Sequence, residues 1–372
     1  MNTNNKLIDC HIHIKDEWGL QLFDLIDAMK EICRESDMRA FAILSIPSWD
    51  EEHILQNPLS ILLKASYSDK TYFFGGLDYY LYSNKPQGCN FDKQLKKLID
   101  IGADGLKLIE TKPMVRKNIG YIPFTDPSYN SLFEILEEKQ MPILWHVGDP
   151  ETFWDPEKAP SWSYTSGWFY GDSAFPSKDD LYSESESILK RYPDLSITFA
   201  HMYFLSADLE RADKFLDTYK NVRFDVTPGS EMYGNFALRR DDWHNFFIKH
   251  QDQILFGTDG GWSTGQGMKA KIGRAKLIAE NVHRFLETAD VFEMYDFKVK
   301  GIDLPNDVLN KILCGNFLRV VGEKPKPLSI SQACNYFDEI MSILKSNECK
   351  ITCKVELADR LSIIKEMLLE KK

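Results

Sequence analysis

The chain has 372 residues, 43% hydrophobic and 27% charged, an ordinary globular composition with enough apolar material for a large core. Its formal charge of -11 excludes the surplus of Lys and Arg that nucleic-acid backbones and anionic membrane surfaces require. No apolar run is long enough to span a bilayer, the opening "MNTNNKLID" has no apolar signal core, and the seven cysteines are scattered, so the expectation is a cytoplasmic chain with reduced thiols.

Short apolar runs alternate with amphipathic stretches along the chain. The predicted strands are "KLIDCHIHI" (6–14), "RAFAILSI" (39–46), "TYFFGGLDY" (71–79), "DGLKLIE" (104–110), "MPILWHV" (141–147), "LSITFAH" (195–201), "NVRFDVT" (221–227) and "QILFGTD" (253–259). Helical patterns fall between them at 20–36, 90–101, 128–139, 178–192, 205–219 and 236–250. Ser177 and Ser206 are the candidate caps for two of these helices. Strand-helix alternation with short links implies parallel βαβ units, and eight of them suggest an α/β (β/α)8 barrel. A doubly wound sheet competes, but no Gly-x-Gly-x-x-Gly follows the first strand. The Pro- and Lys-rich "GEKPKPLS" (322–329) breaks the pattern, so the expected layout is a barrel over 1–321 and a C-terminal helical extension over 322–372 packed on it.

Ionisable residues collect where these strands end. His11 and His13 are two apart on the first strand and therefore share a face. Cys10, Ile12 and Ile14 are expected on the other side. His146 ends the fifth strand, His201 the sixth and Asp259 the eighth. In a barrel these ends ring one mouth, where catalytic groups collect. A lone strand-end His is usually a packing residue; four of them with an Asp suggest a divalent metal site, zinc first, with manganese, iron or cobalt as alternatives. The remaining histidines, His53, His244, His250 and His283, read as surface or packing residues in helical stretches.

With those residues in view, the sequence resembles the amidohydrolase superfamily, and more closely its amidohydrolase-2 branch, which includes aminocarboxymuconate-semialdehyde decarboxylase. The resemblance covers about residues 6–320 and rests on "DCHIHI", "GADGLKLIE", "PILWHVGD", "LSITFAHMYF", "NVRFDVTPG", "ILFGTDGGW" and "ILCGNFLRVV", in that order. It implies a distorted (β/α)8 TIM barrel holding one divalent metal ion. It also implies His11, His13, His146 and Asp259 as ligands and His201 as the catalytic acid/base. The implied chemistry is hydrolysis of an amide, lactone or other ester of a small polar or carboxylated substrate by a metal-activated water, with Asp259 or His201 handling the proton. The alternative is non-oxidative decarboxylation at the same site.

Substrate contacts are sought near the same mouth. Lys107, in "GLKLIE", is either an interior Lys paired with a carboxylate such as Glu110, a substrate contact, or a carboxylated bridge between two metals as in other branches of the superfamily. The long connection after the fifth strand carries Trp154, Trp168 and Tyr170 among many aromatics and reads as a lid, or else as a self-packed loop or subunit interface. Glu231 and Tyr233, after the seventh strand, are further candidate contacts. The Gly-rich "GTDGGWSTGQG" (257–267) is a weak phosphate-binding option. The expected partner is a small molecule, and a homodimer is the default assembly.

Overall fold

The computed structural model describes residues 7–14, 22–82, 86–120, 122–172, 174–229, 231–260, 268–347 and 349–371. Eight parallel strands follow chain order around one sheet. They are β1 (Leu7–His13), β2 (Met38–Leu44), β3 (Thr71–Gly75), β4 (Gly105–Thr111), β5 (Ile143–Val147), β6 (Ile197–Phe199), β7 (Val222–Asp225) and β8 (Ile254–Leu255). The last strand meets the first: the Cys10 amide donates to the Phe256 carbonyl at 3.0 Å and the His13 amide to the Gly260 carbonyl at 3.1 Å. This closes a (β/α)8 barrel, as the alternating pattern predicts.

These segments are strands because both faces are enclosed, one by the barrel interior and one by the helical layer, so each reads as a continuous apolar run. The interior cluster includes Ile8, Cys10, Ala42, Leu44, Tyr72, Phe74, Leu144 and Leu255. Phe317, from the helix Asn316–Val321, joins it, edge-on to Tyr72 with ring centroids 4.8 Å apart. The larger core lies between strands and helices. The helix Lys178–Arg191 starts at Ser177 with a reciprocal capping box to Asp180, as expected. Ser206 does not cap its helix. That helix begins at Leu209 under Asp208, whose carboxylate accepts from the Arg211 amide, while Ser206 accepts from Asn235.

Three further features depart from the sequence expectation. Pairing of β1 with β2 shifts between Asp9 and Ile12, so Cys10 stays with Ile8 in the interior cluster instead of joining Ile12 and Ile14. An irregularity of this kind re-aims side chains without breaking the strand. The 236–250 pattern is two helices, Met232–Leu238 and Arg240–Lys249, meeting at Arg239. An antiparallel hairpin, β9 (Val291–Met294) and β10 (Phe297–Lys300), lies where no strand was expected.

The C-terminal helices Ile330–Lys345 and Lys354–Leu369 pack on each other and on the helices Gln56–Ser66 and Phe91–Ile101 of the outer layer. No helix among the described residues is long and apolar enough to cross a membrane. Most of the Gly-rich stretch proposed for phosphate, 261–267, lies outside the described residues.

Candidate active site

β1 and the chain beyond β8 bring His11, His13 and Asp259 together; their ligand atoms lie within 4.8 Å of one another. His11 Nε2 and His13 Nε2 are 3.1 Å apart, and Asp259 Oδ1 is 3.6 Å from the first and 3.4 Å from the second. Gly257 permits this approach of β8 to β1, since a Cβ there would sit 2.4 Å from Thr227 Oγ1 and 3.1 Å from His11 Cβ.

The partners of the two imidazoles set their tautomers. His13 Nδ1 faces the Leu44 carbonyl at 3.0 Å and must donate to it. His11 Nδ1 donates to Asp225 Oδ2 at 2.9 Å. Both Nε2 atoms therefore present lone pairs, to each other and to the Asp259 carboxylate. Three electron-rich atoms aimed at one point repel one another unless positive charge lies among them; the Lys107 ammonium, 3.5 Å from His11 Nε2, reaches one of them from below, and the donor set itself fits a divalent metal. Burial, the largest influence on both, lowers His13 to about 4 and puts His11 well below the ordinary imidazole value, which keeps the lone pairs available.

Asp225 is fully buried at the end of β7 and organises this cluster. Besides His11, its carboxylate accepts the amides of His201 at 2.8 Å and Thr227 at 3.1 Å. Those bonds anchor an unusual backbone turn: His201, Met202, Tyr203 and Phe204 all have left-handed φ, from 51° to 57°. Such a conformation costs about 1–2 kcal/mol per L-residue. It aims the His201 ring inward, with its centroid 5.3 Å from His11 and 5.0 Å from His146. His201 Nδ1 donates to the Thr227 carbonyl at 3.2 Å, leaving Nε2 free to accept a proton.

His146 lines the same cavity but is not drawn into the three-residue cluster. Its Nε2 is 2.9 Å from the Gly148 carbonyl and 3.4 Å from Asp149 Oδ1, and burial lowers it to about 3. Lys107 is buried beneath His11, Nζ to Nε2 3.5 Å, and burial drags its ammonium down to about 8. It does not pair with Glu110, which lies three residues along the strand and so faces the other way. Glu110 instead accepts from the Tyr79 hydroxyl and the Ile109 amide.

The cluster opens into a cavity of about 870 Å³. Of the expected substrate contacts, Trp168 and Glu231 line it; Lys107, Glu110, Trp154, Tyr170 and Tyr233 stand outside the lining. Tyr170 donates to Asp149, Tyr233 to the Val226 carbonyl and Trp154 to the Pro176 carbonyl. The connection after β5 is not structureless. It holds short helices at Glu151–Trp154 and Ser161–Thr165 and packs on itself, Phe153 against Trp162 and Tyr164 on Phe169, while Phe153, Trp162 and Trp168 also face the cavity.

Several lining residues carried no signal in the sequence. His53, expected on the surface or in packing, lines the cavity with its ring on Trp49. Lys112 and Asp149 form a buried ion pair at 2.6 and 2.7 Å beside His146, with the Lys112 ammonium 4.1 Å from the centre of the Trp168 ring.

A family model described as Amidohydrolase matches residues 89–322. Comparison by sequence with curated proteins finds no match. Among solved structures, an uncharacterised TIM-barrel protein, Bb4693 of Bordetella bronchiseptica, is similar with a TM-score of 0.52 at 14% identity, over 88% of this chain and 99% of that one. The IDCase of Metarhizium anisopliae in its apo form is similar with a TM-score of 0.52 at 14% identity, over 86% of this chain and 97% of that one. At such identities the likeness is one of fold.

Proposed function

The chain belongs to the amidohydrolase-2 family, and from that footing we propose that it is a metal-dependent hydrolase acting on an amide, lactone or other ester of a small carboxylated substrate. The observation that carries this reading is the meeting of two imidazole lone pairs and a carboxylate oxygen at the mouth of the cavity. His11, His13 and Asp259 would hold one divalent ion, with zinc the first candidate; His146, whose Nε2 faces the Gly148 carbonyl, would join as a fourth ligand only by giving up that bond or through Nδ1. Bound there, the ion supplies Lewis acidity that polarises a carbonyl and acidifies water.

The remaining work falls to side chains. His201, tethered through Nδ1, takes a proton from water at Nε2 and returns it to the leaving group. Asp225 fixes both the His11 tautomer and the His201 backbone. Phe153, Trp162 and Trp168 wall the cavity with apolar surface that excludes bulk water. Of the cationic groups at the lining, Lys112 is paired with Asp149 and Lys158 with Asp155, which leaves Arg274 as the cation that would meet a substrate carboxylate.

The test is His201→Asn, assayed against a panel of amides, lactones and esters with zinc content measured in parallel. The variant should keep its metal and lose turnover. Full activity would remove His201 from the mechanism. A second reading, decarboxylation, is favoured by the aromatic walls together with Arg274, which suit an aryl carboxylate. Oxygen-18 from solvent water in a new product carboxylate identifies the hydrolase; carbon dioxide released without water incorporation identifies the lyase.

A further inference from the structure

The hairpin β9–β10 turns through two residues, Tyr295 and Asp296, with Met294 paired to Phe297. A two-residue hairpin loop demands positive φ, and Gly or Asn ordinarily supplies it. Here Tyr295 takes φ 53°, a conformation disfavoured for bulky side chains. Packing does not account for the choice of residue. The residue is 49% exposed, and among the described residues its side chain makes no hydrogen bond or ring contact.

The hairpin itself is firmly seated, so the turn cannot relax by drifting. Phe297 fills a notch at Gly234, where a Cβ would come within 2.5 Å of its ring. Met294 and Val299 are buried, Arg240 Nε donates to the Gly301 carbonyl at 3.1 Å, and His244 Nδ1 donates to the Ile302 carbonyl at 2.6 Å. The tip therefore carries a half-exposed aromatic side chain on a backbone held in one place, and that place is the rim of the cavity: Tyr295, Asp296 and Phe297 all line it. The hairpin follows β8, whereas the wall of Phe153, Trp162 and Trp168 follows β5, three strands away around the eight-stranded ring. A ligand between them meets aromatic surface from both directions.

We propose that Tyr295 is a specificity-determining residue of this cavity, its ring carried on the hairpin tip to select ligands that bear a planar ring. The proposal rests on the reading of the cavity as the substrate site, and not on which bond is broken there.

The experiment compares Tyr295→Gly, Tyr295→Phe and the unsubstituted zinc-loaded protein. The probes are 2-naphthoate and, as a non-planar anion, cyclohexanecarboxylate, both titrated calorimetrically, with Tm and metal affinity measured for each protein. Glycine relieves the turn, so Tyr295→Gly should keep or raise Tm by about 1–2 °C while weakening 2-naphthoate about tenfold. Tyr295→Phe should bind 2-naphthoate within about twofold of the unsubstituted protein, and cyclohexanecarboxylate should bind weakly and about equally to all three. The proposal is overturned if Tyr295→Gly binds 2-naphthoate undiminished. It is overturned equally if that variant loses several degrees of Tm, which would make the ring structural. Failure of the unsubstituted protein to prefer the planar probe also overturns it. Metal affinity separates the two levels: a protein that binds neither zinc nor manganese, iron or cobalt defeats the hydrolase reading, while the probe comparison still judges Tyr295.

Discussion

Replacing Asp225 by Asn alters one atom type in a fully buried side chain and should disable the metal centre without unfolding the barrel. The carboxylate accepts from the His201 and Thr227 amides on Oδ1 and from His11 on Oδ2. The two amides can only donate, so the Asn carbonyl must stay with them. Its NH2 then faces His11 Nδ1, which has to become an acceptor. The imidazole shifts its proton to Nε2 and donates it across the 3.1 Å gap to His13 Nε2. That internal hydrogen bond fills the place of the cation. Loss of such an orienting partner typically weakens metal binding 10- to 100-fold, or about 1.4–2.8 kcal/mol. The number of hydrogen bonds is conserved, so the stability of the metal-free protein should change by no more than about 1 kcal/mol. Zinc titration of the apoprotein against a competing chelator measures the first quantity and urea unfolding the second. Zinc affinity within about twofold of the unsubstituted protein would refute the tautomer reasoning.

Two further outcomes are expected. Burial raises the Glu110 carboxyl to about 7, so between its ordinary value and pH 7 the folded chain holds a proton that the unfolded chain has released. Stability contributed at this position therefore falls as pH rises through that window, by roughly 3 kcal/mol in all, and Glu110→Gln should remove that share of the fall, leaving the shares of Asp9 and Asp78, which burial also raises; parallel urea midpoints for both proteins at pH 5 and pH 8 would contradict this. Lys112→Met strands the Asp149 carboxylate in a buried position and should cost about 3–5 kcal/mol, whereas Lys112→Met with Asp149→Asn, which removes the charge and keeps an acceptor for the Tyr170 hydroxyl, should recover most of it; chemical unfolding of both proteins decides, and equal losses would count against the ion pair as the cause.

The sequence disclosed the barrel because burial on both faces leaves an unbroken apolar run, as in "RAFAILSI" for Met38–Leu44 and "MPILWHV" for Ile143–Val147. It also disclosed where His11, His13 and Asp259 meet, because strand order alone puts strand ends on one rim. Side-chain contacts across that rim are not a property of order. Asp225 stood in plain view in "NVRFDVT", and a carboxylate at the C-terminal end of a barrel strand, on the rim where catalytic groups collect, was a usable signal. Lys112 and Asp149 gave none, since each is an ordinary charged residue until the fold sets them 2.6 Å apart. The hairpin was hidden by its own tip, where Tyr-Asp replaces the Gly or Asn that marks such turns. The shift within β1 was hidden too, because strict alternation assigns Cys10 to the wrong side.

The closure of the barrel carries a last consequence. β8 is two residues long, and its junction with β1 depends on a few backbone bonds, among them those donated by Cys10 and His13. His11 and His13 stand on one side of that junction and Asp259 on the other. A cation gripping all three is a clasp across the seam, joining the two ends of the barrel-forming chain. At a hundredfold excess over Kd it would stabilise the closed ring by about 2.7 kcal/mol. In protein stripped by a chelator, the seam is where the ring should first part, and the amides of Cys10 and His13 should exchange with solvent sooner than those of β2 or β4.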